Sequence, residues 1–113
     1  MGAGRIGKMH AQNIHAFGQS ELKYVFDVYT PAAQEVADAT GALVADNVDI
    51  ALADPDIDAV LIATSTDTHV DLIIRAAKAG KAILCEKPID LDIDKVNYCL
   101  EAIVDCDVPI QIG

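Results

Sequence analysis

The sequence predicts a doubly wound α/β domain, with helices packed around a parallel sheet. Three observations predict it. Strand-like and helix-like segments alternate along the whole 113-residue chain. One segment, "DAVLIATS" (Asp58 to Ser65), is a nearly continuous apolar run of the kind buried on both faces of a parallel sheet. The chain also opens on a glycine turn, "GAGRIG" (Gly2 to Gly7), that runs directly into a helical pattern.

Each element has its own signal. A helix is expected from about Arg5 to Ala16, with Ile6, Met9, Asn13, Ile14 and Phe17 on one face and Gly18 as its stop. "LKYVFDV" (Leu22 to Val28) is rich in β-branched and aromatic residues and reads as a strand. Thr30 is a good N-cap and Pro31 a good first residue for a second helix, which ends at Gly41. "ALVAD" (Ala42 to Asp46) is a short strand. A brief helix over Val48 to Ala53 stops before Pro55, because a residue preceding proline avoids the helical region. After the apolar strand, Val70, Ile73, Ile74 and Ala77 form one helical stripe, closed by Gly80. "KAILCEKP" (Lys81 to Pro88) is the next strand. The last helix runs from about Asp92 to Asp105, with Ile93, Val96, Leu100 and Ile103 inward. Asp90 and Asp92 sit at the positive end of its dipole. "VPIQIG" (Val108 to Gly113) closes the chain as a fifth strand, and no strand pattern precedes the first helix.

Composition narrows the partners. A chain of this length with 52% hydrophobic residues suits one compact domain. A net charge of −10 repels phosphate backbones and anionic lipid, which argues against nucleic acid and membrane surfaces. No apolar run approaches the ~20 residues of a membrane span, and the first residues lack a signal-peptide pattern. Cys85, Cys99 and Cys106 are too few and scattered for a disulfide framework or a metal site. They read as small core residues in a reducing, cytoplasmic setting, with Cys106 the best candidate for a reactive thiol.

The glycine turn fits G-x-G-x-x-G. Gly2 permits the tight turn, Gly4 lets a pyrophosphate approach the backbone, and Gly7 lets the helix pack closely. Amides freed at the helix start then bind the anion. Asp27 follows twenty residues after Gly7, at a strand end, where an acid accepts hydrogen bonds from ribose hydroxyls or caps a turn. Val28 and Tyr29 follow it with no arginine for a 2′-phosphate, which favours NAD over NADP. A glycine turn with a strand-end acid also occurs in enzymes using S-adenosylmethionine, so these features leave the ligand open.

Two further strand ends decide between them. "ATSTDTH" (Ala63 to His69) is a hydroxyl-rich loop, although Thr66 or Asp67 could equally serve as a helix cap. "CEKPID" (Cys85 to Asp90) places Glu86 and Lys87 where a buried strand emerges. A lysine there is suited to proton handling, or to a structural pair with Glu86. Together with "GAGRIGKMHAQNI" (Gly2 to Ile14), these motifs resemble the Gfo/Idh/MocA oxidoreductases. That family is named for glucose–fructose oxidoreductase, inositol dehydrogenase and the rhizopine catabolism protein. The resemblance spans essentially the whole chain, and the wording is most similar to the inositol 2-dehydrogenase branch.

The resemblance implies a Rossmann-like, NAD-binding domain over residues 1–113. Gly2, Gly4 and Gly7, with the Arg5 and Ile6 amides, would bind the pyrophosphate, and Asp27 the adenosine ribose. Thr64, Ser65 and Thr66 would line the path to the nicotinamide, with His69 nearby. Glu86 and Lys87 would sit by the nicotinamide ribose, and Lys87 would reach a substrate hydroxyl as the catalytic lysine. The reaction implied is hydride transfer from a sugar or cyclitol carbon to NAD. A histidine of a substrate domain, often with an aspartate, would share the proton transfer with Lys87. From the residues alone, His69 could instead cap or pack at its helix start, His10 reads as a satisfied core histidine, and His15 as solvated or facing the helix dipole.

The same resemblance predicts two further segments: a leading apolar strand in the centre of the sheet, and the substrate domain. Neither is recognisable in the sequence, so the domain is expected to be truncated and incomplete for catalysis alone. Three or four large apolar side chains of a central strand stabilise by roughly 5–10 kcal/mol, against about 5–15 kcal/mol for a whole domain. A chain lacking them is expected to be unstable alone or to borrow a strand, which leaves homo-oligomerisation open. Alternatives are an NAD-sensing module without catalysis, a methyltransferase-type domain, against which the "EKP" strand end argues, and a nonfunctional fragment.

Overall fold

A computed structural model describes all residues, Met1 to Gly113. The elements alternate as expected. They are α1 (Arg5–Ala16), β1 (Tyr24–Val25), α2 (Thr30–Thr40), β2 (Leu43–Val44), α3 (Val48–Ala53), β3 (Ala59–Ile62), a 3₁₀ turn (Thr66–Thr68), α4 (His69–Lys78), β4 (Ala82–Cys85), α5 (Ile93–Ala102) and β5 (Ile110–Ile112). Every strand pairing is parallel. β1 pairs with β2, Tyr24 opposite Leu43, while β3, β4 and β5 form a second sheet with Ile62 opposite Cys85 and Cys85 opposite Ile112. The first expected strand, Leu22 to Val28, pairs with β2 over two residues only. Beyond Phe26 the Asp27 side chain accepts the Tyr29 N–H at 2.8 Å, which turns the chain away from the sheet.

Met1 and Gly2 join the two sheets. The Met1 amine donates to Leu61 O at 2.8 Å, and Ala63 N–H donates to Met1 O at 2.9 Å. Gly2 N–H donates to Phe26 O at 2.8 Å on the other side. Alternating partners of this kind are the ladder of a parallel strand, so these two residues sit in register between β1 and β3. Below them, toward the strand starts, lies a cavity of about 1080 Å³ bordered by Tyr24, Val25, Ala59 and Leu61. It occupies the central sheet position where the leading strand was expected. Burial of the Met1 amine lowers its pKa from 8.0 to about 6, partly offset by the negative charge of Asp27.

Two cores hold the layers together. Ala3, Ala11, Val25, Ala33, Val36 and Ala37 form one, where α1 and α2 close on β1. The other joins α3, α4 and α5 to β3 and β4 through Leu52, Val60, Ile62, Ile73, Ile83 and Ile103, with Cys85 and Cys99 buried among them. Cys106 packs at its margin, and all three thiols are free.

Two helix faces differ from expectation. The face of α1 that packs inward carries the small residues Gly7 and Ala11, while Met9 and Phe17 are 46% and 66% exposed. The turn comes so close that a large side chain cannot fit: a Cβ on Gly7 would collide with the Gly2 carbonyl. The inward stripe of α5 runs through Val96, Cys99 and Ile103. Ile93 and Leu100 face solvent, because Cys99 rather than its neighbour completes the helical spacing toward α4. Helix α2 also begins one residue early, with Tyr29 at the cap, and ends as expected on Gly41 in the left-handed region.

Candidate functional site

The three glycines of the opening turn are required for three different reasons. Gly2 has φ +87°, and a Cβ there would strike the Ala63 backbone. Gly7 allows the close approach of α1 described above. A Cβ on Gly4 would meet nothing within 4 Å, so that side of the turn is open for a ligand to come close to the backbone. Helix α1 has no side-chain cap and no acidic residue in its first turn. Its first backbone bond runs from Lys8 N–H to Gly4 O, so the Arg5, Ile6 and Gly7 amides precede the regular ladder. An uncapped start on a twelve-residue helix has donors and dipole aimed at an anion.

Asp27 stands beside this turn. Its Oδ2 accepts Ala3 N–H at 2.6 Å and its Oδ1 accepts Tyr29 N–H at 2.8 Å. The acid therefore does cap a turn. A carboxylate offers about four lone-pair sites, so it can also accept from two vicinal hydroxyls. Turn-capping and ribose binding are compatible roles.

The other sequence motifs converge at the carboxyl ends of β3 and β4. A cleft of about 270 Å³ is bounded by Arg5 and Ile6 on one side, and by Thr64, Thr66, His69, Glu86 and Lys87 on the other. Ser65 is exposed, and its carbonyl accepts the Thr68 backbone N–H at 3.0 Å. Gly2, Gly4, Gly7 and Asp27 do not border the cleft; they form the turn next to it. The larger cavity between the sheets runs toward the strand starts, with Gly2, Gly7 and His10 bordering it at the end nearer the turn. In open α/β sheets ligands sit at the carboxyl ends, which makes the small cleft and the glycine turn the candidate site.

His69 ties the cleft together. It is 1% exposed, with Nδ1 2.8 Å from Pro88 O and Nε2 3.2 Å from Thr64 O. The ring thus packs at its helix start and spans the two strand-end loops. Thr64 Oγ1 accepts from Thr68 Oγ1 at 2.7 Å, which steadies the hydroxyl loop. Lys87 is exposed and has no ion pair; Glu86 pairs elsewhere, so the expected alternative of a Glu86–Lys87 pair is not formed.

The partner of Glu86 is His10, whose Nε2 lies 2.7 Å from Glu86 Oε1. His10 is half-buried and satisfied, but by an acid at the site rather than by the core. The signal was readable: His10 lies one turn beyond Gly7, on the side of α1 that faces the sheet. His15 is exposed in the last turn of α1, as expected. Lys81 was not singled out by the sequence. It is buried at the start of β4, and its ammonium donates to Asp54 O and Ile57 O at 2.7 and 2.8 Å, closing the α3–β3 loop.

An oxidoreductase family with an NAD-binding Rossmann fold, Gfo/Idh/MocA, matches residues 1–113. The chain belongs to this family. Among Gfo/Idh/MocA relatives, it is 48% identical over its full length to an inositol 2-dehydrogenase of Rhizobium meliloti, and covers 34% of that protein. A myo-inositol dehydrogenase structure from Corynebacterium glutamicum superposes with a TM-score of 0.92 at 46% identity, over 99% of this chain and 34% of the other. The WlbA dehydrogenase of Bordetella pertussis, solved with NADH and UDP-GlcNAcA, gives 0.91 at 29% identity over all of this chain and 36% of the other. The chain thus spans about a third of the length of these relatives. Its cofactor is NAD, and the open Gly4 face, the uncapped α1 start and Asp27 fit it. No helix is long and apolar enough to cross a membrane.

Proposed function

We propose that this chain forms the cofactor half of an inositol or related polyol dehydrogenase. The observation that carries the reading is the convergence of three separate motifs. Arg5 and Ile6 at the start of α1, the hydroxyl loop and the "EKP" strand end meet at one cleft at the carboxyl ends of the strands, with the glycines of the turn beside it.

NAD, when bound, supplies the acceptor for a hydride leaving a carbinol carbon. The Arg5, Ile6 and Gly7 amides hold the pyrophosphate, and Asp27 accepts from the adenosine ribose. Thr64, Ser65 and Thr66 guide the nicotinamide half toward Glu86 and Lys87. Lys87, exposed and free of ion pairs, donates to the substrate hydroxyl and stabilises negative charge growing there as its proton departs. The proton acceptor and most of the polyol pocket come from a substrate domain, in keeping with relatives about three times as long. Three free thiols and an acidic surface suit a reducing cytoplasmic compartment and a small-molecule substrate.

The test is a calorimetric titration of NAD and NADP into the purified chain, with a parallel melt. Saturable binding with NAD preferred supports the reading. A folded chain that binds neither refutes it.

A further inference from the structure

The contact between His10 and Glu86 joins two parts of the site that are 76 residues apart in sequence. Glu86 has its backbone fixed, since its N–H donates to Ile62 O at 2.8 Å as the ladder of β4 ends. Two other elements flank its side chain. His10, on the helix that carries the glycine turn, donates to Oε1. On the β5 side, a Cβ built on Gly113 would stand 3.4 Å from the carboxyl group, so the end of β5 walls the acid in. The Lys87 backbone N–H faces the same carboxylate, and the residue borders the cleft beside the exposed Lys87 side chain. The Glu86 carboxyl is also held below the ordinary range, chiefly by the His10 hydrogen bond. It is therefore an ionised acceptor with Oε1 restrained by His10 and lone pairs left for a further donor.

We propose that His10 is a positioning residue for the dinucleotide: it clamps Glu86 so that the remaining lone pairs of the carboxylate accept from a hydroxyl of the nicotinamide riboside. The inference rests on the NAD assignment of the site. A clamp of this kind acts on one half of the ligand only. The adenosine and pyrophosphate contacts come from Asp27 and the α1 amides, which His10 does not touch. A pair that merely bolted α1 to β4 would instead affect stability and both halves of the ligand alike.

ADP carries the adenosine and the two phosphates but no nicotinamide riboside, so it separates these cases. NAD and ADP are titrated calorimetrically into the chain, its His10→Ala and His10→Gln variants, and Glu86→Ala, with a thermal melt of each. His10→Ala is expected to weaken NAD about tenfold and ADP less than about twofold. His10→Gln restores an N–H donor near Oε1 and should recover most of the NAD affinity. His10→Ala combined with Glu86→Ala should lose little more than either alone. Equal losses for NAD and ADP overturn the proposal, as does wild-type NAD affinity in His10→Ala. If His10→Ala fails to fold, His10→Gln decides: a wild-type ratio of NAD to ADP affinity supports the clamp, and a collapsed ratio overturns it. Wild-type protein that binds ADP as tightly as NAD overturns this inference alone. Wild-type protein that folds yet binds neither overturns the NAD assignment as well.

Discussion

Asp27 Oδ2 accepts the Ala3 N–H at 2.6 Å, so the acid that follows β1 is bonded directly to the turn that opens the chain. One carboxylate shapes the glycine turn and is also the acid proposed to bind the ribose. Removing it should therefore cost both stability and affinity. Asp27→Ala is expected to lower stability by about 1.5–3 kcal/mol, since its hydrogen bonds involve a charged acceptor. NAD affinity should fall at least about tenfold. Asp27→Asn, which keeps one acceptor oxygen, should lie between. Denaturant unfolding and calorimetry check both, and unchanged NAD affinity in Asp27→Ala would remove Asp27 from the ribose site.

Gly2 and Gly4 make a matched pair. Gly2→Ala places a methyl against the Ala63 backbone at φ +87°, and should cost at least about 2 kcal/mol. Gly4→Ala meets no protein atom within 4 Å. It should leave stability within about 0.5 kcal/mol while its methyl blocks close approach of the pyrophosphate. Melting curves beside NAD titrations separate the two, and full NAD affinity in Gly4→Ala would move the phosphate elsewhere.

The buried Met1 amine predicts a pH dependence. Its folded pKa is lowered to about 6 from 8.0 by burial, so between those values the unfolded chain holds more protons than the folded one. Stability from this group therefore rises as pH goes from 6 to 8, and the charge is a penalty below 6. The full effect is at most about 2–3 kcal/mol. Acetylating the amine removes the charge but keeps an N–H for Leu61 O. The acetylated chain should be the more stable near pH 6 and should lose this slope, as parallel melts across the window would show.

The cavity between β1 and β3 has the position and direction of a strand. Extending the chain ahead of Met1 by about five consecutive apolar residues should raise stability by roughly 5 kcal/mol. A melting temperature unchanged by the extension would contradict this.

Lys87 is exposed and unpaired at the cleft, so its loss should leave the cofactor site standing. In the longer enzyme, Lys87→Ala is expected to cut kcat at least about 100-fold and to change the NAD dissociation constant less than about threefold. Equal turnover would exclude the catalytic role.

Much of this protein was decided locally and could be read from the chain. The order of strands and helices follows from hydrophobic period, Gly41 ends α2 through the positive φ that glycine allows, and Asp92 stands at the start of α5 where the dipole favours an acid. The glycine turn and the acid twenty residues beyond it are likewise legible, because backbone geometry and spacing along one strand–helix unit determine what they do. Tertiary structure decided the contacts between units. Period alone could not show that α1 packs through Gly7 and Ala11, because that choice depends on how near the turn comes to the helix. It could not choose Cys99 over Leu100 on α5, since adjacent residues differ only in which side meets α4. Nor could it pair His10 with Glu86: seventy-six residues separate them, and only the parallel sheet brings the start of α1 and the end of β4 to the same edge. Side-chain chemistry along the chain set what each group can do, and the sheet set which groups do it together.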